Sequence, residues 1–173
     1  GFYFKSWVTS LDKGVFEIYC YHIGHIQDQV TQEFSHAADY YKHLVGDVGY
    51  IGRQVKKDQL DILVYPEIGM DQGVLVLAAM RLAPIQCAAW GHPVTTGYAN
   101  IDYFFSSKLM EPENAQAHYS EQLILLEGIG TYYSKPVLPS SAKRSDFSLP
   151  EERVLYLCPQ SLYKIHPDND RLM

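Results

Sequence analysis

The chain has 173 residues, a formal net charge of −6 and three cysteines. A chain of this length buries roughly 70% of its unfolded surface, so a packed core is expected and disorder is excluded. The negative balance argues against nucleic acid as a partner, since the nearest thing to a basic cluster is the pair Lys56-Lys57. The longest apolar region, Gly73 to Trp90, is broken by Arg81, Pro84 and Gln86, so no membrane span and no membrane partner are predicted. Cys20, Cys87 and Cys158 are far apart, form no CxxC and each sit in an apolar run. They read as buried free thiols of a reducing compartment, and the expected location is cytoplasmic. The opening on GFYFKSW, without an initiator Met or a signal peptide, and the stop on DNDRLM read as those of a fragment.

In chain order, Phe2 to Leu11 carries Phe4, Trp7, Val8 and Leu11 at helical spacing, and Asp12-Lys13-Gly14 ends it. Trp7 is expected in the core. Val15 to His22 is β-branched and aromatic, hence a strand. Helices are predicted over Ile26–His36 and Val48–Asp58, with His36, His43 and His118 on helix surfaces. Asp61–Tyr65 is a short buried strand cut by Pro66, and Asp71–Leu82 a helix with an acid at its positive end. Ala83–Ala89 and Ile101–Phe105 are strands. Pro112–Tyr119 is a short helix opened by proline, and Gln122–Leu126 is another strand. Residues 134–152 are rich in proline and serine and read as a linker. Arg153–Cys158 then starts a new strand and Asp168 a helix.

Short apolar strands alternating with helices predict an α/β fold: a Rossmann-like, three-layer parallel sheet. Ligands of such sheets bind outside the carboxyl ends of the strands. Three segments fall there: Tyr65-Pro66-Glu67, Trp90-Gly91-His92-Pro93 and Pro159-Gln160-Ser161. Glu67 either faces the cleft or caps the next helix. Gly46, Gly49 and Gly52 are spaced three apart, but no strand is predicted before them, so they fail the context that a phosphate loop needs. Neither GxxxxGK[ST] nor GxSxG occurs. Cys20, His22 and His25 have a loose zinc-like spacing with no second ligand pair, and no metal is predicted.

Four blocks follow in order: APIQ…GHPVTTG (83–97), IDYFFS (101–106), YSE (119–121) and LYKIHP (162–167). Together with DILVYPEIGMD (61–71) they resemble the catalytic region of O-linked N-acetylglucosaminyltransferase-like proteins, the O-GlcNAc transferase and SPINDLY type, in particular bacterial members. The resemblance implies a GT-B glycosyltransferase. Residues 1–133 would be its first half, lacking that half's first strand, and residues 153–173 the beginning of a second, nucleotide-sugar-binding half. It implies transfer of a sugar, N-acetylglucosamine by the family name, from a UDP- or GDP-linked donor, with UDP-N-acetylglucosamine the favoured one, to Ser/Thr hydroxyls of proteins. Transfer would invert the sugar and need no metal or other cofactor. His92 and Lys164 would be the catalytic pair, with Lys164 meeting the diphosphate. Trp90, Gly91, Pro93, Thr95, Thr96, Ser161 and Tyr163 would bind substrate. Full-length relatives often carry tetratricopeptide repeats upstream; no 34-residue period occurs here. Retention of both Gly91-His92-Pro93 and Lys164 favours an enzyme over the alternative, a non-catalytic nucleotide- or protein-binding module.

Overall fold

The structure, a computed structural model, describes residues 2–135 and 141–171. It divides into two compact units, Gly1–Ser134 and Lys135–Met173.

The first unit opens with a 3-10 turn at Phe2–Phe4 that runs into helix α1 (Lys5–Thr9). Strand β1 (Tyr19–His22), helix α2 (Gln29–Ala37), strand β2 (Tyr40–His43) and helix α3 (Val48–Lys57) follow. Then come β3 (Ile62–Tyr65), α4 (Gln72–Ala78), β4 (Ile85–Ala89), β5 (Tyr103–Ser107) and β6 (Gln122–Leu126). An aspartate sets each of the later helix starts. Asp28 accepts from the Thr31 amide, Asp47 from that of Tyr50 and Asp71 from that of Val74. Each satisfies an amide the helix leaves without an internal partner.

All strand pairs among the described residues are parallel. The expected single sheet is in two pieces: β1 pairs with β2, and β3, β4, β5 and β6 lie side by side in sequence order. Packing rather than a ladder joins the pieces. Leu44, just past β2, is buried in one apolar cluster with Ile51 and Val55 of α3, Leu63 and Tyr65 of β3, Leu77 and Ala78 of α4, Ala88 of β4 and Phe104 of β5. Gly52 lets α3 approach α4: a Cβ there would stand 3.3 Å from Met80 Sδ and 3.6 Å from Leu77 Cδ2.

Several expectations need correcting. Residues 15–18 are not strand, because Asp12 O accepts the amides of both Val15 and Phe16 and turns the chain. Residues 40–43 are a strand, and His43 lies on it rather than on a helix. The run YYKH is too short and polar to signal burial, and its pairing with β1 decides it. A strand therefore does precede Gly46, Gly49 and Gly52, but Asp47 already occupies the helix start. A Cβ on Gly46 would meet the Tyr50 ring at 2.9 Å. Those glycines serve turning and packing. Within 112–119 only Ala115–His118 is helical, as a 3-10 turn.

In the second unit, the predicted strand Arg153–Cys158 is absent. No described segment pairs with it, and Val154, Tyr156 and Leu157 are 80%, 94% and 73% exposed. The chain forms 3-10 turns at Arg144–Phe147, Leu162–Lys164 and Pro167–Arg171. Arg144 organises the first of these, donating to the carbonyls of Pro150, Glu151 and Arg153 at 3.1, 3.0 and 2.7 Å. Part of the predicted linker, 136–140, lies outside the described residues. Of the thiols, only Cys87 is buried; Cys20 is half-buried and Cys158 exposed. Burial, with Asp102 adding to it, pushes the Cys87 thiol up to about 11.

Candidate functional site

Tyr65 at the end of β3 pairs in register with Ala88 of β4, so the two strands release their loops side by side. One delivers Pro66-Glu67, the other Trp90-Gly91-His92-Pro93. The Gly91 amide donates to Pro66 O at 3.1 Å. A Cβ on Gly91 would stand 2.6 Å from that carbonyl oxygen and 2.9 Å from both Glu67 Cβ and Phe4 Cε2. Gly91 thus admits the neighbouring loop and the Phe4 ring.

The Trp90 amide extends the ladder to Phe105 O at 3.2 Å. Its ring packs against Phe4 at 4.8 Å and Tyr3 at 6.2 Å between centroids. Trp7 joins this cluster, 4.9 Å from Phe4 and 5.8 Å from Phe105, and donates Nε1 to Gly130 O at 2.8 Å. Trp7 is a packing residue, as expected, and it ties the first helix to the carboxyl edge of the sheet. Trp90 Nε1 is buried without a hydrogen-bond partner among the described residues. A buried unpaired donor costs about 1–3 kcal/mol.

The His92 ring lies on Gly69. A Cβ there would meet Cδ2 at 2.8 Å and Nε2 at 3.0 Å, and Gly69 has φ +112°. Both the space and the backbone conformation call for glycine. The half-buried His92 ring has no hydrogen-bond partner among the described residues, nor does the half-buried Glu67 carboxylate. Asp71, not Glu67, caps the following helix. The loop edge thus presents an imidazole and a carboxylate that packing holds in place, with no hydrogen-bond partner among the described residues.

Thr95 and Thr96 are engaged within the protein. Glu121, only 2% exposed, accepts from Thr95 Oγ1 and from the Thr96 amide, both at 2.8 Å, and from Thr96 Oγ1. Each hydroxyl has one proton to donate, and here it goes to the carboxylate. Burial alone would raise the Glu121 pKa, but the bonds from Thr96 and Thr95 outweigh it and hold the carboxyl below its ordinary value.

Two further motif positions are structural. Fully buried Gln86 accepts the Leu82 amide at 2.8 Å and donates to Met80 O and Asn100 O at 2.9 and 2.8 Å. Asp102 accepts from Arg81 at 2.5 Å and from the Gln86 amide at 2.7 Å. Sequence reasoning assigned roles to none of Gly69, Gln86, Asp102 and Glu121, although the last three lie within the APIQ, IDY and YSE blocks.

In the second unit, Ser161, Tyr163 and Lys164 share one exposed 3-10 turn, closed by the Lys164 amide donating to Ser161 O at 2.9 Å. The Lys164 ammonium stands 5.9 Å from the Tyr163 ring centroid, at the outer reach of a cation–π contact, and has no ion pair among the described residues. The strand expected just before this turn does not form. Neither a group of three or more metal-ligating side chains nor a helix long and apolar enough to cross a membrane occurs among the described residues. His22 lies against His43, ring centroids 4.9 Å apart.

Parallel strands with packed helices and loops gathered on one carboxyl edge define a Rossmann-like α/β layer. The solved structure of a mutant O-GlcNAc transferase from Thermobaculum terrenum matches this fold with a TM-score of 0.70 at 23% identity, over 76% of this chain and 25% of that one. Residues 3–135 match Glycosyl transferase family 41, and the chain belongs to that family. It is 34% identical over 126 residues to the probable UDP-N-acetylglucosamine–peptide N-acetylglucosaminyltransferase SEC of Arabidopsis thaliana. That alignment covers 68% of this chain and 13% of SEC. The enzyme of the same description named SPINDLY in Oryza sativa subsp. japonica is 34% identical over 98 residues, 54% of this chain and 11% of its own. The chain thus spans about an eighth of SEC's length. Ser161, Tyr163 and Lys164 fall beyond the family match.

Proposed function

We propose that the full-length protein transfers N-acetylglucosamine from a UDP-linked donor to Ser/Thr hydroxyls of acceptor proteins, with inversion and without a metal or other cofactor. The observation that carries this reading is the coincidence of the family match, residues 3–135, with the preorganised loop edge at Glu67 and Trp90–Thr96. Negative charge grows on the diphosphate as the sugar leaves. In this reading the Lys164 ammonium takes up that charge, His92 is the second catalytic residue, and water is excluded by the aromatic cluster around Trp90. Ser161 and Tyr163 border the diphosphate and sugar beside Lys164. Thr95 and Thr96, with their protons on Glu121, shape this wall and meet ligand only as acceptors.

The test is turnover of UDP-N-acetylglucosamine onto acceptor peptides by the full-length protein, with and without EDTA. Transfer is expected in both conditions. Lys164→Ala is expected to lose roughly 30- to 1,000-fold in kcat/KM, the equivalent of about 2–4 kcal/mol from one oriented electrostatic donor. Absence of transfer with every nucleotide sugar tried, while one still binds, would instead make the protein a non-catalytic binding module. Wild-type kcat/KM in Lys164→Ala would remove the diphosphate role.

A further inference from the structure

Glu121 stands at the start of β6, adjacent to Gln122, yet its carboxylate is spent on a loop 25 residues away. It is almost wholly buried and has no ion pair among the described residues. A buried charge without a counter-ion survives only where donors surround it. Among the described residues, the side-chain and amide donors that reach it from elsewhere in the chain come from two residues, Thr95 and Thr96. Around that centre the loop closes on itself. The Ser120 amide donates to Thr95 Oγ1 at 3.1 Å, Ser120 Oγ lies 2.9 Å from it, and the Tyr98 amide donates to Thr96 Oγ1 at 3.2 Å. Val94 and Thr95 are exposed, and the apolar anchoring of this segment comes at its far end, where Tyr98 packs against the core cluster. Upstream, the Val94 amide donates to His92 O at 2.9 Å, so the segment's shape passes directly to the loop tip.

We infer that Glu121 is a positioning residue: it latches residues 94–98 to the base of β6 and so keeps the His92-Pro93 tip in its donor-binding shape. This rests on the proposed function for the word "donor", but the latch itself does not. Without the latch the loop samples other shapes, and the apparent affinity for donor falls by the fraction of time spent in the competent one. Once donor is bound the loop is ordered again, so the loss appears in KM for donor and not in kcat. A residue that only stabilised the fold would lower the amount of active protein and leave KM unchanged.

The experiment compares wild type, Glu121→Ala, Glu121→Gln and Thr96→Val in the full-length protein. In Glu121→Ala, donor KM is expected to rise about tenfold with kcat within a factor of two, as for a loop competent about a tenth of the time. Glutamine keeps one oxygen for the Thr96 amide and hydroxyl, and Thr95 can turn its proton to Ser120 Oγ. Glu121→Gln is therefore expected to restore KM to within about threefold. Thr96→Val should reproduce the KM effect while leaving Glu121 the Thr96 amide and the Thr95 hydroxyl as donors. In parallel, hydrogen exchange of the amides at Thr96 and Tyr98 is read without any ligand. Protection in wild type that is lost in Thr96→Val supports the latch even if no nucleotide sugar is turned over, a result that would sink the proposed function alone. Equal protection in the two proteins, or wild-type donor KM in both Glu121→Ala and Thr96→Val, overturns the inference.

Discussion

Two stretches of this chain carry nearly the same message in sequence and take different forms. Ile85–Ala89 followed by Trp90-Gly91-His92-Pro93, and Arg153–Cys158 followed by Pro159-Gln160-Ser161, are each an apolar run ending in a turn and polar groups. The first is a strand, its last four residues buried, with β3 on one side and β5 on the other. The second has no ladder partner among the described residues and lies largely exposed. Apolar and β-branched content states what a segment would do beside a sheet. It does not supply the neighbour whose carbonyls and amides satisfy the strand's own. The chemistry differs for the same reason. The His92 tip is clamped by Pro66, Gly69 and Phe4, whereas Lys164 is placed by one 3-10 turn.

The largest effect that separates the two regions should come from the clamped side. Phe104 is 1% exposed in the strand beside β4, and its ring packs 4.7 Å from that of Tyr119. Phe104→Ala is expected to cost about 3–5 kcal/mol, the transfer of the ring plus the cavity it leaves. Both tryptophans, Trp7 and Trp90, lie in the first unit, so urea unfolding followed by their fluorescence reads that unit alone. A shift below 1 kcal/mol would mean that β5 is not the centre of the core.

Much of the contrast was legible before the structure, and the gaps have physical causes. Ile62–Tyr65, Ile85–Ala89 and Gln122–Leu126 fall within their expected strands because each is a short, mainly apolar run bounded by turns. Tyr40–His43 was missed because a four-residue strand with a lysine and a histidine has no such signature. Arg153–Cys158 was over-read because pairing is not a local property. At the site, the types Trp, Gly, His and Pro after a strand pointed to the loop edge. Nothing local says that Gly91 faces Phe4, that Gly69 faces His92, or that Glu121 reaches back to Thr95 and Thr96. Those contacts span from 23 to 87 residues of chain.

A smaller effect tests whether the clamp is steric. Gly91→Ala places a methyl where Pro66 O would be 2.6 Å away, and a backbone atom cannot step aside as a side-chain end can. Forcing extra volume into a packed site costs roughly 1–3 kcal/mol. The same urea titration should show that loss, and Trp90 emission should change in the folded state because the strained residue is its neighbour. Unchanged stability and emission would mean that the loop tip is looser than its contacts indicate.

The smallest effect belongs to the unpaired run, and it is the one that decides the comparison. Leu157 is 73% exposed, so removing its side chain takes little apolar surface out of any packed environment. Leu157→Ala is expected to change stability by less than about 0.5 kcal/mol, as for a surface substitution away from caps and charges. The accompanying measurement is native-state hydrogen exchange. Amides of Val154 to Leu157 make no backbone hydrogen bond among the described residues and should exchange with an opening free energy near zero. Those of Val64 and Cys87, within the parallel ladder, should approach the unfolding free energy of their unit. If Leu157→Ala costs more than 1 kcal/mol, or if residues 154–157 are as protected as 62–65, the run has found a partner strand. The sequence would then have been right about its strand character, and Lys164 would stand at the end of a paired strand, as His92 does.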